Sequence, residues 1–177
     1  RIVNRCIASP HLIAVRTDDQ TQTWTGRELA DTEQRFIATL TGVVAVPALP
    51  IACAAAAIAD RPTLGNDQAD AISTIASSVT PVSVLVGPAG TGKTFTLDGV
   101  RAVFERAGFD VVGAAPSARA AIELEAGAAI PSRTLQSLIR RWDTGHQRPG
   151  GDTLLVIDEA GMADIRTLEH AVSRQVA

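Results

Sequence analysis

The sequence predicts an α/β fold in which parallel strands alternate with helices and the strand ends carry the chemistry. Three observations lead there. Apolar runs at 82–86, 110–115 and 153–157 are short enough for buried strands, and each is followed by a helical pattern. The first run leads into Gly87-Pro88-Ala89-Gly90-Thr91-Gly92-Lys93-Thr94, which fits the phosphate-cradling pattern G-x-x-x-x-G-K-[ST]. The third ends in Asp158-Glu159. Strands and helices in this alternation form a parallel sheet with right-handed crossovers. Both motifs then lie at the carboxyl edge of that sheet. The fold class is a parallel-sheet P-loop nucleotide-binding domain preceded by a small, mainly helical arm.

The elements follow in order. Short strands are expected over His11 to Arg16 and Thr21 to Trp24. Thr25 precedes Gly26-Arg27-Glu28, a capping-box pattern with Glu at the third helical position. The helix it opens has Leu29, Phe36, Ile37 and Leu40 on one side and Asp31, Glu33 and Arg35 on the other, a packing element of the arm. Residues 41–62 are a Pro-broken, Ala-rich connection holding a short Ala helix, so the arm and connection span 1–62 and the main domain 63–177. Asn66 caps a helix running through Ala71, Ile72, Ile75 and Ala76.

The strand Val82–Val86 and the Gly-rich loop come next. The following helix carries Phe95, Leu97, Val100, Val103 and Phe104 and is stopped by Gly108 in the C′ position. A second strand, 110–115, ends in Pro116-Ser117, and Ser117 caps a helix over 118–125. Leu135, Leu138, Ile139 and Trp142 recur at i, i+3, i+4 and i+7, which predicts an amphipathic helix over 131–142. Arg140 and Arg141 turn away from its apolar stripe. A polar Gly/Pro loop over 143–151 leads to the third strand, and Met162, Ile165 and Leu168 begin a last helix.

With 177 residues the chain is long enough for one domain with a real core plus an arm. A net charge of −3 argues against a protein held to nucleic acid by overall charge, though not against a local strip. Cys6 and Cys53 are far apart and form neither a disulfide framework nor a zinc pattern, as in a reduced, cytoplasmic protein. His11, His146 and His170 are scattered and suggest no metal site. No leader opens the chain. The uncharged run 43–59 contains Pro47 and Pro50 and falls short of the roughly 20 residues a membrane span needs. The chain opens on Arg1 and closes at Ala177 inside a helix, as if cut from a longer one.

The site chemistry follows from residue type. Gly87, Gly90 and Gly92 let the backbone approach phosphates where a Cβ would collide. Lys93 supplies a compact positive charge for the β- and γ-phosphates. It is the only lysine in the chain, and the planar fork of arginine does not replace it. Thr94 offers a hydroxyl to Mg²⁺, and Asp158 a carboxylate to the same ion through water. Glu159 is placed to orient or deprotonate an attacking water. Together they predict nucleotide hydrolysis.

At this point the residues resemble a family. Gln68, the loop 87–94, Ala115-Pro116-Ser117-Ala118-Arg119-Ala120-Ala121, Thr134-Leu135-Gln136-Ser137-Leu138 and Val156-Ile157-Asp158-Glu159-Ala160-Gly161-Met162 come in the order of superfamily 1 helicases. Their flavour is the RecD-like type found in TraA/TrwC conjugative relaxases. The likeness covers 63 to about 168 and extends weakly to 23–29 and Glu33. It implies a RecA-like first motor domain, incomplete here, that uses ATP and Mg²⁺ and moves on single-stranded DNA, 5′ to 3′ as its relatives do.

The resemblance also implies residue roles. Gln68 recognises the adenine edge, Pro116, Ser117 and Arg119 line the DNA track, and Thr134 belongs to a second DNA-contacting element. Arg140, Arg141 and Arg148 read as a solvated face, and Trp142 as core. Ser117, Ala118 and Gln136 depart from the family's Thr, Gly and His, which puts a DNA contact at Gln136 in doubt. The second RecA-like domain, with its arginine finger, is missing, so the chain alone is expected to bind nucleotide weakly and turn it over very slowly. Two other readings stand beside this one: an ATPase that drives a protein partner, and a non-catalytic nucleotide-binding fragment.

Overall fold

A computed structural model describes residues 9–16, 22–42, 49–88, 90–146 and 150–176. Of the positions singled out above, Arg1, Cys6, Thr21, Pro47, Ala89, Arg148 and Ala177 lie outside the described residues.

Three strands form the central sheet: β3 (Asp110–Ala115), β4 (Ser132–Thr134) and β5 (Thr153–Ile157), in the order β4-β3-β5 and all parallel. Period-two alternation sends their side chains to two faces. Val111, Leu154 and Val156 face one layer, with Leu97, Leu124, Ala128 and Ile130. Val112, Ala114, Leu155 and Ile157 face the other, with Leu135, Leu138, Trp142 and Ala171. The first layer is built from α4 (Lys93–Arg106) and α5 (Ala118–Ala128), and the second from α6 (Leu135–Asp143) and α7 (Ile165–Val176). A sheet covered on both faces explains why these strands read as continuous apolar runs.

Other elements wrap this centre. A hairpin of β1 (Leu12–Arg16) and β2 (Gln22–Gly26) is antiparallel, with Ala14 opposite Trp24. It leads into α1 (Arg27–Thr41), which packs against α7 and is flanked by Arg35–Glu169 and Arg166–Glu28 ion pairs at 3.8 and 3.4 Å. The connection's Ala helix, α2 (Ile51–Ala59), buries Ala54 and Ala57 with Ile72, Val100 and Val103 of α3 (Asn66–Ser77) and α4. Side chains as small as alanine bring these helices close, and Ile72 Cδ1 lies only 2.3 Å from where a Cβ on Gly99 would sit.

Helix ends follow their caps. Ser117 Oγ accepts from Ala120 N at 3.1 Å and opens α5 as expected. α4 closes in a Schellman motif: Gly108, at φ 89°, and Phe109 donate to Glu105 O and Phe104 O at 3.0 Å. The Phe104 and Phe109 rings meet edge to face at 5.4 Å.

Five expectations need correction. Val82–Val86 is not a buried strand: it has no place in the sheet, and Val84 and Val86 are 78% and 87% exposed. A buried parallel strand needs a neighbour on its edge, and among the described residues none pairs with this segment. The helix expected over 131–142 begins only at Leu135, because Ser132–Thr134 pairs with β3 and Thr134 is the cap, its Oγ1 accepting from Ser137 N at 3.2 Å. α1 starts at Arg27 with Gly26 as its cap, since Thr25 is held in the hairpin opposite Ile13. Asn66 is the first helical residue of α3 and not its cap, which is Gly65. Met162 sits exposed in a 3-10 turn, Ala160–Met162, and α7 starts after Asp164, whose Oδ1 accepts from Arg166 N and Thr167 N.

A charged knot joins the connection to α4. Arg61 donates through Nε to Asp98 Oδ2 at 2.8 Å and through Nη1 to Ala57 O at 2.9 Å. Arg101 Nη2 reaches Asp98 Oδ1 at 2.7 Å. Burial raises the Asp98 pKa, but the hydrogen bonds and charges of Arg101 and Arg61 outweigh it and hold the carboxyl below its ordinary value. A depressed folded-state pKa contributes stability that is present above the unfolded value and lost as pH falls through the folded one. Asp98→Asn is therefore expected to cost about 1.5–3 kcal/mol at neutral pH, the worth of hydrogen bonds to a charged group. The difference from the parent should shrink as pH falls below about 4, the unfolded carboxyl range. Urea unfolding of both proteins from about pH 2 to about pH 7, on either side of the carboxyl range, checks it.

No helix among the described residues is long and apolar enough to cross a membrane.

Candidate functional site

The Gly-rich loop is shaped by two left-handed residues, Gly90 at φ 80° and Gly92 at φ 76°. Such turns let successive backbone N–H groups converge on one point, and the first turn of α4 adds its own free N–H groups. The loop is tight as well as glycine-rich. A Cβ on Gly87 would lie 2.8 Å from Thr91 Oγ1, and one on Gly92 would lie 2.3 Å from Gln68 Nε2. Thr91 Oγ1 in turn donates to Pro88 O at 2.9 Å, closing the loop on itself.

Lys93, first residue of α4, folds back over this loop. Its Nζ donates to Gly87 O at 2.7 Å and Pro88 O at 2.9 Å. The half-buried Lys93 thus places its ammonium at the loop's mouth, bonded among the described residues to these two carbonyls. Gln68 reaches the loop from α3. Its Oε1 accepts from Gly65 N at 3.0 Å, and its Nε2 donates to Thr91 O at 3.1 Å. The amide is fixed at both ends and clamps the loop to α3, a role that reading it from sequence did not anticipate.

The sheet brings a second group of residues to one edge. Ala115 lies opposite Thr134, and Ala114 opposite Ile157, so Thr134, Ala115 and Asp158 stand level at the strand ends. Asp158 N donates to Ala114 O at 2.9 Å, extending the ladder by one bond. Asp158 Oδ1 accepts from Glu159 N at 2.9 Å. Glu159 is exposed and left-handed, at φ 51° and ψ 36°. A side chain in that region carries about 1–2 kcal/mol of backbone strain, so the acidic turn is held by its surroundings and not by local preference. Pro116 and exposed Ser117 follow β3 at the same edge.

Arg119 is exposed in the first turn of α5 and pairs with Glu123 at 2.8 Å. Hydrogen bonding to Glu123 raises its pKa further. Arg140 and Arg141 are exposed and Trp142 is buried, as expected. Among the described residues no hydrogen bond or ion pair joins Asp158 or Glu159 to the Gly-rich loop. Among the described residues no cluster of three His, Cys, Asp or Glu side chains suits a metal ion.

The residues fit a nucleotide with a hard divalent cation. The crowded Cβ positions of Gly87 and Gly92, the left-handed backbone of Gly90 and Gly92 and a lysine at the loop's mouth suit a phosphate chain. The oxygen donors on Thr94 and Asp158 suit Mg²⁺ in preference to a softer metal.

Sequence reasoning passed over Gly127. It lies in the last turn of α5, and a Cβ there would come within 2.4 Å of Thr94 Cγ2. An isolated glycine inside an Ala-rich helix was the available signal.

Comparison with known proteins agrees with this geometry. A family model described as "AAA domain" matches residues 63–176. The conjugal transfer protein TraA of Rhizobium radiobacter is 40% identical over 113 residues, which cover 64% of this chain and 10% of that protein. The probable conjugal transfer protein TraA of Sinorhizobium fredii is 38% identical over 113 residues, again 64% and 10%. That of Agrobacterium fabrum, also named conjugal transfer protein TraA, is 38% identical over 115 residues, 65% and 10%. The chain spans about a tenth of the length of these relatives.

Proposed function

The chain belongs to the AAA domain family, and from that premise we propose that it is the leading part of an ATP-driven motor that moves on single-stranded DNA. The observation that carries the reading is the Gly-rich loop, with Gly90 and Gly92 left-handed and the Lys93 ammonium at its mouth. Likeness to proteins named for conjugal transfer supports DNA as the partner, and the alignment of Pro116, Ser117 and Thr134 at the same sheet edge as Asp158 supports a track beside the hydrolytic site.

In this reading the backbone of 87–94 and the Lys93 ammonium bind the triphosphate, and Gln68 turns from its bonds to Gly65 N and Thr91 O to meet the adenine edge. Thr94 and Asp158 hold Mg²⁺, which neutralises charge on the β- and γ-phosphates when bound. Glu159 orients the attacking water and takes its proton. Ser117, Arg119 and Thr134 contact the strand through phosphate and sugar, so binding weakens with salt and carries little sequence preference. The partners are single-stranded DNA and a second RecA-like domain supplying an arginine, a contribution worth about 10³–10⁵ in rate in motors of this class. Movement runs 5′ to 3′, in the cytoplasm.

ATP turnover with and without single-stranded DNA tests it, on a protein that carries this domain joined to the second one. Turnover is expected to rise at least about ten-fold with DNA, the scale of a 1.4 kcal/mol coupling between two sites. Turnover that ignores DNA would return the domain to an ATPase acting on a protein partner.

A further inference from the structure

α5 is built for helix formation: Ala118, Ala120, Ala121, Ala126 and Ala128 occupy five of its eleven positions. Gly127 stands out. Glycine in a helix interior costs about 1 kcal/mol against alanine, so helix stability does not account for it. The space around it does. An added Cβ would stand 2.4 Å from Thr94 Cγ2 and 3.5 Å from Thr94 Cβ. The first distance is a collision and the second an ordinary contact, so the obstacle is the threonine methyl alone. The two helices are also pinned at this point, where Arg101 Nε donates to Ala128 O at 3.0 Å.

Thr94 is the second residue of α4, where a β-branched side chain has few χ1 choices: in a helix threonine divides between two. Methyl and hydroxyl share one Cβ and turn together. A group that fixes the methyl therefore fixes the hydroxyl. We propose that Gly127 is a positioning residue which, by leaving room for the Thr94 methyl, sets the direction in which the Thr94 hydroxyl meets nucleotide-bound Mg²⁺. The inference rests on the nucleotide reading above and adds to it the residue that sets its metal ligand. It also gives α5 a second contact with the chemistry. Its cap and first turn carry Ser117 and Arg119, and its last turn lies against Thr94. A displacement of this helix along its axis would reach the loop directly through Gly127.

The test is a double-mutant cycle on the whole chain: parent, Gly127→Ala, Thr94→Ser and the pair. ATP affinity is measured for each with Mg²⁺ and with EDTA, and thermal melts by circular dichroism accompany it. Serine keeps the hydroxyl and removes the methyl. Gly127→Ala is expected to stay folded, with the collision offsetting the helix-propensity gain, and to lose about 10- to 100-fold of the affinity gained from Mg²⁺, as when a supporting residue behind a metal ligand is altered. Its affinity in EDTA should match the parent's. In the Thr94→Ser background the same change is expected to shift affinity by less than about two-fold, the level of independent sites.

An equal loss in both backgrounds, or equal losses with Mg²⁺ and with EDTA, would mean that the helix has moved as a body and would overturn the inference while leaving the loop assignment intact. If Gly127→Ala alone fails to fold, the comparison of the pair with Thr94→Ser decides: a Mg²⁺-specific loss between those two overturns the inference, since no methyl remains to collide. A parent chain with no affinity for ATP at all would overturn the nucleotide reading, and the inference with it.

Discussion

Lys93→Ala is expected to lower ATP affinity about 10- to 150-fold, the equivalent of the 1.5–3 kcal/mol that a hydrogen bond to a charged group contributes. On a protein with a complete motor, turnover should fall further, by about 10²–10³, the cost of removing one preorganised donor from developing charge. The fold should survive. Among the described residues the ammonium bonds to Gly87 O and Pro88 O, and those loop carbonyls can turn to water. Isothermal titration with ATP, beside a circular dichroism spectrum, measures both. Lys93→Arg is expected to fail as well. The ammonium is a compact point that sits between two carbonyls of one tight turn, whereas a guanidinium spreads five donors over a rigid plane. The chain otherwise takes arginine at every basic position. An unchanged affinity in Lys93→Ala would remove the loop from the site.

Trp142→Ala is expected to lose about 3–5 kcal/mol of stability, a large part of the roughly 5–15 kcal/mol a domain possesses. Trp142 is only 4% exposed and packs with Ala114, Leu135, Leu138 and Ala171, where α6 and α7 cover one face of the sheet. Truncation opens a cavity among side chains that belong to three different elements, so no single one of them can relax to fill it. A drop in the urea midpoint with an unchanged slope checks this. Little change in stability would instead return the indole to a surface role such as stacking on a base. Exposed Arg140 and Arg141 on the opposite side of the same helix should be replaceable at almost no cost, since surface charges of this kind contribute about 0–1 kcal/mol.

The parts of the fold legible in the sequence are those whose signal is local. Thr153–Ile157 and Asp110–Ala115 declare themselves because both of their faces are covered. Gly108 announces the end of α4 because only its left-handed backbone completes that cap. The Gly-rich loop is legible for the same reason: its geometry is written in residue types that nothing else demands. What failed depended on neighbours. Ser132–Thr134 is three polar residues with no alternation to detect, and it is a strand only because β3 lies beside it. Val82–Val86 has strand composition, yet composition does not supply a partner. Gly127 and Gln68 act across more than 20 residues of sequence on Thr94 and Thr91, and no pattern along the chain encodes such a contact.

The exposed valines have a consequence for how the protein behaves in bulk. From Ala71 to Gly92 no side chain carries a charge, and within that stretch Val84 and Val86 project into solvent. A short, β-prone, uncharged segment with free backbone groups is what cross-β association recruits. Pro81 and Pro88 bracket it, and prolines at such flanks act as gatekeepers that limit stacking. Association in concentrated solution is therefore expected to start from the residues between the two prolines. A partner strand laid against them would protect the protein from itself before it contributed anything to catalysis.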